Sequence, residues 1–175
     1  GMSYSKRDSG VSNSAIIVTV NNKDFGNGPL DGVKYQENLE KKAYSLGNGK
    51  ILVQTFKDFK DNVCNPKDLS NLKIKGNYSY ANINDVFPDY INTSLKEAIT
   101  YFNKKIKGFD DDNVVIAAVE SKTSSPVKFI RNENMESNIK GLYPIGEGSG
   151  FAGGITTSAI EGIKIAKIIS SIYKN

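Results

Sequence analysis

The chain has 175 residues, of which 38% are hydrophobic and 24% charged, a composition typical of a soluble globular protein with one domain or one domain and an appendage. No apolar run approaches the length of a membrane helix, so we expect no membrane partner. The single cysteine agrees with a reducing compartment, so we expect a cytoplasmic protein. The net charge of +4 comes from scattered lysines, so we expect no nucleic-acid partner either. The absence of histidine and the single cysteine argue against a zinc site and exclude an internal disulfide.

The first half of the chain alternates strand and helix patterns. A β-branched run predicts a strand at residues 15–20. Apolar residues at helical spacing predict a helix from Leu30 or Val33 to Leu46, with Asp31 as a candidate N-cap and Gly47 ending it. Strands are predicted at residues 51–56 and 78–83.

The second half has two longer helix patterns and three apolar runs. Leu95, Ile99, Phe102 and Ile106 predict an amphipathic helix, capped by Asn92 or Thr93 and ended by Gly108. Residues 114–119 predict a buried strand, residues 127–130 a neighbouring strand that could complete a hairpin, and residues 142–145 a last strand. A final helix is predicted from residue 155 onwards, with Gly162 allowing close contact with a sheet. The predicted fold class is α+β, with a mixed or antiparallel sheet and packed helices.

Between the last predicted strand and the final helix lies a glycine-rich turn. Gly148, Gly150 and Gly153 satisfy the pattern G-x-G-x-x-G, in which glycines let the backbone approach a ligand and the helix N-terminus offers N–H groups to an anion. An opening dinucleotide-binding motif needs a further strand after the helix, and no such strand is predicted here. We therefore expect a closing strand, turn and helix of a nucleotide-binding domain.

The segments ESKTSSPV (residues 120–127) and KGLYPIGEGSGFA (residues 140–152), with the helix start after them, resemble the C-terminal part of FAD-dependent dehydrogenases. These are glutathione-reductase-type flavoproteins, and the chain is most similar to an uncharacterised NAD(FAD)-utilising dehydrogenase branch. Residues 12–20 and 30–44 extend the likeness. The resemblance implies FAD as cofactor, with NAD(P)H as a candidate electron donor, and a terminal strand, turn and helix that complete a Rossmann-like FAD-binding domain.

The resemblance also implies roles for individual residues. Glu147, in the turn with Gly146 and Gly148, would hydrogen-bond the ribityl or pyrophosphate region of the flavin. The backbone N–H groups of Gly153, Gly154 and Ile155 would point toward the flavin. Without the resemblance, Glu147 is equally consistent with a helix cap or a solvent-exposed side chain. Lys122 and Lys128 depart from the pattern, because they stand where arginine would be expected.

Thr123, Ser124 and Ser125 follow the strand predicted at residues 114–119 and are candidates for the substrate side of a flavin site. A serine pair before Pro126 is also ordinary turn chemistry, so both interpretations stay open. No catalytic residue can be assigned, because without histidine the sequence offers no nucleophile with a paired base.

The resemblance leads to a domain prediction. Residues 1–13 form a leading segment, residues 14–112 a substrate or insert-type domain, and residues 113–175 the C-terminal segment of an FAD-binding domain. No segment supplies the ADP-binding glycine turn, so the expected partners are the N-terminal FAD-binding region of its own chain and an unknown small-molecule substrate. The expected function is the flavin-closing, substrate-facing part of an oxidoreductase, which alone would be inactive. The alternative is a non-catalytic ligand-binding or interaction module that keeps the turn only as structure.

Overall fold

Helices outnumber strands in the computed structural model, which describes residues 4–173. Within that range the elements are, in order, α1 (Asn22–Phe25), α2 (Asp31–Leu46), β1 (Ile51–Thr55), α3 (Phe56–Asp61), β2 (Tyr78–Tyr80), a 3₁₀ turn (Ile83–Asp85), α4 (Asp89–Phe102), β3 (Val115–Ala118) and α5 (Ile155–Ile172). The fold is therefore α+β, as predicted. Across these residues, none of the helices combines the length and the apolar character that crossing a bilayer would require.

The strands form a small mixed sheet in the order β2-β1-β3. The central strand β1 pairs parallel with β2, with Ile51 opposite Tyr78, and antiparallel with β3, with Thr55 opposite Val115. Leu52 and Val53 are fully buried because β1 has a neighbour on each side and elements packed on its faces. The edge strand β3 is only half-buried, so the prediction of a buried strand at residues 114–119 was correct in position and wrong in burial.

The hydrophobic core is built around the central strand β1. Its side chains lie among those of α2, α3, the 3₁₀ turn and α4, and the buried apolar residues there are Leu39, Ala43, Leu52, Val53, Phe56, Phe59, Ile83, Val86, Ile91 and Ile99. Gln54 is buried among them, and its amide is satisfied on both sides. Its Nε2 donates to the Val63 carbonyl at 2.7 Å, and its Oε1 accepts the Ile83 N–H at 2.9 Å. A polar side chain is tolerated here because both groups are paired.

The chain divides into two units. Unit 1 comprises Gly1–Asn21 and Glu37–Val119, and it contains the sheet and the core just described. Unit 2 comprises Asn22–Gln36 and Glu120–Asn175, and it contains α1, the start of α2, the glycine-rich turn and α5. The predicted roles of residues 14–112 and 113–175 stay predictions.

Three predicted strands are wrong. Residues 15–20 alternate between half-buried and exposed side chains, as in a strand, but their backbone joins no sheet within residues 4–173. Residues 127–130 and 142–145 are also irregular, so β3 does not form a hairpin and the turn is not preceded by a strand. The segment at 127–130 contacts the turn instead, where the Phe129 N–H donates to the Ser149 carbonyl at 3.1 Å. A β-branched run becomes a strand only where a neighbouring edge is available to pair with it.

The two helices of the second half of the chain also differ in detail from the predictions. Helix α4 begins at Asp89 after Pro88, without a side-chain cap, and ends at Phe102. Asn92 lies inside its first turn, where it is buried and donates to the carbonyls of Asn84 and Phe87, so the predicted cap was wrong. Helix α5 begins at Ile155 as predicted, but no atom lies within 4 Å of a side chain built on Gly162, so the predicted close contact with a sheet is absent from the described part of the chain.

Candidate functional site

The glycine turn (residues 146–154) follows an irregular segment and leads into α5. Gly146 and Gly150 have φ angles of 75° and 81°, in the left-handed region that favours glycine. A side chain on Gly150 would collide with the Val127 carbonyl oxygen and lie 2.9 Å from the Lys128 Cα. The turn is closed from within, since the Gly150 N–H donates to the Glu147 carbonyl and the Ser149 hydroxyl donates to the Gly146 carbonyl. Gly150 is therefore required by conformation and by packing.

The other side of the glycine turn is open. A side chain built on Gly148 or Gly153 would meet no atom within 4 Å, and one on Gly154 would meet only the Thr157 hydroxyl at 3.9 Å. Backbone N–H groups 151–157 have no hydrogen-bond acceptor within residues 4–173. The turn thus leaves backbone donors without an internal acceptor next to the positive end of an 18-residue helix, and residues 153 and 155–157 among them are exposed, a combination that suits an anionic or carbonyl-bearing ligand.

The predicted cofactor-binding residues lie together in this turn. Glu147 is exposed, and its carboxylate contacts no donor in the described range, so it does not cap α5. Gly154 is the residue before the helix, and its carbonyl accepts the Ser158 N–H at 3.0 Å and the Thr157 hydroxyl at 3.0 Å. Ile155 is 93% exposed at the first helical position. Glu147 is therefore available to an external donor.

The three hydroxyl residues predicted for the substrate side behave differently from one another. The Ser125 hydroxyl lies 2.9 Å from the Val127 carbonyl and 3.1 Å from the Gly148 carbonyl, so its single O–H is shared between two acceptors at the glycine turn. Thr123 and Ser124 are exposed and make no such bond to the described residues. Only Ser125 is brought to the turn, and it supports the backbone there.

A partly buried ion pair lies behind the turn, and the sequence predictions did not include it. Nη2 of Arg131 donates to Oε1 of Glu161 at 2.6 Å, and Nη1 donates to the Pro144 carbonyl at 2.8 Å. Oε2 of Glu161 accepts the Gly146 N–H at 2.8 Å. The Arg131 guanidinium hydrogen bond holds the pKa of the Glu161 carboxyl below its usual range, against the opposing effect of burial. The carboxylate is therefore ionised throughout the neutral pH range.

Phe151 presents its ring to two cations. The Arg131 guanidinium carbon lies 3.4 Å from the ring centroid and Lys128 Nζ lies 4.8 Å from it. One signal could have drawn attention to Arg131, because Arg7 and Arg131 are the arginines among 23 basic residues. In a chain that otherwise uses lysine, an arginine indicates a need for the planar two-pronged donor.

In unit 1 the buried Asp58 carboxylate is held by hydrogen bonds within the unit. Asp58 Oδ2 accepts the Asn65 N–H at 2.9 Å and the Tyr80 hydroxyl at 2.8 Å. Burial acts to raise the pKa of Asp58, but these hydrogen bonds hold it below its usual value. Burial and the Asp58 and Asp85 carboxylates raise the pKa of the Cys64 thiol, which disfavours the reactive thiolate. No cluster of metal-ligating side chains occurs in the part of the chain that the structure describes.

Comparison with known proteins identifies the class of this chain. Residues 1–123 match the family described as FAD-dependent protein, C-terminal domain-like, and the chain belongs to that family. It is therefore part of a flavoprotein, as predicted; its place in the glutathione-reductase-type group stays a prediction.

One relative shows how much of a longer protein the chain spans. The chain is 43% identical over 174 residues to an uncharacterized protein of Clostridium beijerinckii (strain ATCC 51743 / NCIMB 8052), in an alignment covering 97% of this chain and 33% of the relative. The chain thus spans about a third of the length of that relative. The alignment includes the glycine turn, which lies outside the residues that match the family.

Proposed function

We propose that this chain is the flavin-closing, substrate-facing part of an FAD-dependent oxidoreductase of the glutathione-reductase type, with NAD(P)H as a candidate electron donor. The observation that carries the proposal is the row of unpaired backbone N–H groups at residues 151–157, beside open space at Gly148 and Gly153. A flavin offers carbonyl and phosphate oxygens, which are the acceptors that such donors suit. The residues therefore fit FAD, and membership in an FAD-dependent family supports that choice of ligand.

When bound, FAD would supply the hydride or electron transfer. The chain's own residues would bind and orient it. The N–H groups of Gly153, Gly154 and Ile155 would donate to flavin oxygens, and the N-terminus of α5 would stabilise negative charge there. The Glu147 carboxylate, exposed and without a donor in residues 4–173, would accept from hydroxyl groups of the ribityl chain. Thr123 and Ser124, both exposed, are proposed to face the substrate.

We further propose that α5 packs against the N-terminal FAD-binding region of a longer chain and there completes a Rossmann-like domain. Isoleucines at several positions of α5 are exposed, among them Ile155 at 93% and Ile163 at 59%. An apolar helix surface of this kind normally lies against another element. The Clostridium beijerinckii relative, about three times as long as the aligned region, has enough chain to supply it.

The test is reconstitution with FAD. The full-length protein that contains these residues should retain a yellow flavin chromophore, or regain it when FAD is added to apoprotein. Glu147→Ala and Gly153→Val should each weaken FAD binding, the first by removing an acceptor and the second by filling the open side of the turn. Lys50→Ala, an exposed position in unit 1, is the matched control and should bind FAD as wild type.

Two results would oppose the proposal. A full-length protein that stays colourless after FAD addition would favour the alternative of a non-catalytic interaction module. Tight, stoichiometric FAD binding by these 175 residues alone would contradict the interpretation that they form part of the site.

A further inference from the structure

We propose that Arg131 and Glu161 are positioning residues that hold the back of the glycine turn, so that its free backbone donors face FAD. This inference rests on the proposed function, and it adds two residues that touch neither the open side of the turn nor its unpaired N–H groups. The pair acts on the cofactor only through the conformation of the turn.

The hydrogen bonds form one continuous chain. The Pro144 carbonyl accepts from Arg131 Nη1, Arg131 Nη2 donates to Glu161 Oε1, and Glu161 Oε2 accepts the Gly146 N–H. Each of the three distances lies between 2.6 and 2.8 Å, as expected for hydrogen bonds in which a partner is charged. Pro144 and Gly146 enter the turn, and Glu161 belongs to α5. The ion pair therefore fixes the start of the turn to the helix that follows it.

A second contact fixes the middle of the turn. The Arg131 guanidinium lies on the Phe151 ring, at 3.4 Å from its centroid, and Phe151 is the first of the residues whose N–H groups have no acceptor in the described range. The side chains of Arg131 and Glu161 are 12% and 13% exposed, so solvent screens their interaction far less than that of a surface pair. The same guanidinium thus contacts Pro144 just before the turn and Phe151 within it, on either side of Gly148.

The consequence is a turn with two unlike sides. On the back, the Gly146 N–H is occupied by Glu161 and the Gly146 carbonyl by Ser149. On the front, the N–H groups at 151–157 have no acceptor in the described residues. Holding a set of donors in place before the ligand arrives removes an ordering cost from binding. Lysine at position 131 could keep the charge, but it could not reach both acceptors with a planar fork.

The experiment compares Arg131→Lys and Glu161→Gln with Lys128→Met in the full-length protein that contains this chain. Lys128 lies over the same Phe151 ring but is exposed and does not contact Glu161, so its variant is the matched control. We expect FAD affinity, measured by quenching of flavin fluorescence, to fall about tenfold or more in the two positioning variants and to change less than threefold in the control. We also expect the absorbance spectrum of the remaining bound flavin to shift toward that of free flavin.

The outcomes separate the two proposals. A wild-type protein that binds no FAD refutes the proposed function. A wild type that binds FAD, with Arg131→Lys and Glu161→Gln binding as tightly as Lys128→Met and with unchanged spectra, refutes the positioning role alone.

A measurement on the wild type covers the case in which either variant fails to fold. Amide hydrogen exchange should find Gly146 protected with and without FAD, and the N–H groups at 151–157 protected only with FAD. Rapid exchange at Gly146 in the apoprotein would overturn the inference.

Discussion

Substitution by alanine should destabilise the protein strongly at one glycine of the turn and hardly at all at another. At Gly150 the φ angle is 81° and the added methyl group would collide with the Val127 carbonyl. The left-handed conformation costs alanine about 1–2 kcal/mol, and forcing a methyl group into occupied space costs about 1–3 kcal/mol. We expect Gly150→Ala to lower the free energy of unfolding by about 2–5 kcal/mol.

Gly148 is the matched control because it lies two residues away in the same turn. Its φ angle is not in the left-handed region, and its added methyl group would meet no atom within 4 Å. We expect Gly148→Ala to change the free energy of unfolding by less than about 0.5 kcal/mol. Under the proposed function, the methyl group enters the space for the cofactor, so this variant should instead weaken FAD binding.

The assay is urea unfolding followed by far-UV circular dichroism, with the midpoint compared among wild type and both variants in the absence of FAD. The slope of each transition must match that of the wild type for the midpoints to be comparable. If Gly150→Ala unfolds at the wild-type urea concentration, the packing of Val127 and Lys128 against the turn is not as described. Equal destabilisation by both variants would refute the distinction between a packed side and an open side.

Two further predictions concern stability in the two units. In the 175-residue chain by itself, Leu52→Ala, at a fully buried position of β1, should lower the free energy of unfolding by about 2–5 kcal/mol. Ile155→Ala, at a position 93% exposed in this chain, should lower it by less than about 0.5 kcal/mol, and equal effects in thermal melts would contradict the assigned core. The folded-state pKa of Asp58 is lowered, so its contribution to stability is complete above its unfolded pKa of about 4 and is lost as the pH falls through the lower folded-state value. The stability of Asp58→Asn should therefore fall less than that of the wild type as the pH is lowered from neutral to acidic values, and the urea midpoint measured against pH checks this. Parallel pH profiles for the two proteins would show that Asn65 and Tyr80 do not stabilise the ionised carboxylate.

The regular elements that the sequence predicted are those with local signals. Helix α2 ends before Gly47, whose N–H donates back to the Ala43 carbonyl, and a side chain at Gly47 would collide with the Lys50 carbonyl. The β1 strand was recognisable as a short apolar run, and α5 from its apolar spacing after a glycine pair. These patterns depend only on residues a few positions apart, so they can be recognised in the sequence alone.

The strand predictions at residues 15–20, 127–130 and 142–145 were wrong because strand formation does not depend on local signals alone. A strand needs a partner edge, and partners are set by chain segments far away in sequence. Val53 in β1 pairs with Tyr80 and Ala117, which no local pattern around Val53 could specify. Residues 127–130 carry the right residue types for a strand but contact the glycine turn instead.

The sequence by itself determined the glycine turn, the helix after it and the resemblance to FAD-dependent proteins, because glycine content and helical spacing are local properties. Tertiary structure alone decided which side of the turn is free. Arg131 and Glu161 lie 30 positions apart and meet only when the chain folds back on itself. Because their contact depends on how distant segments pack, the sequence predicted the backbone donors for a ligand but not the ion pair that holds them in place.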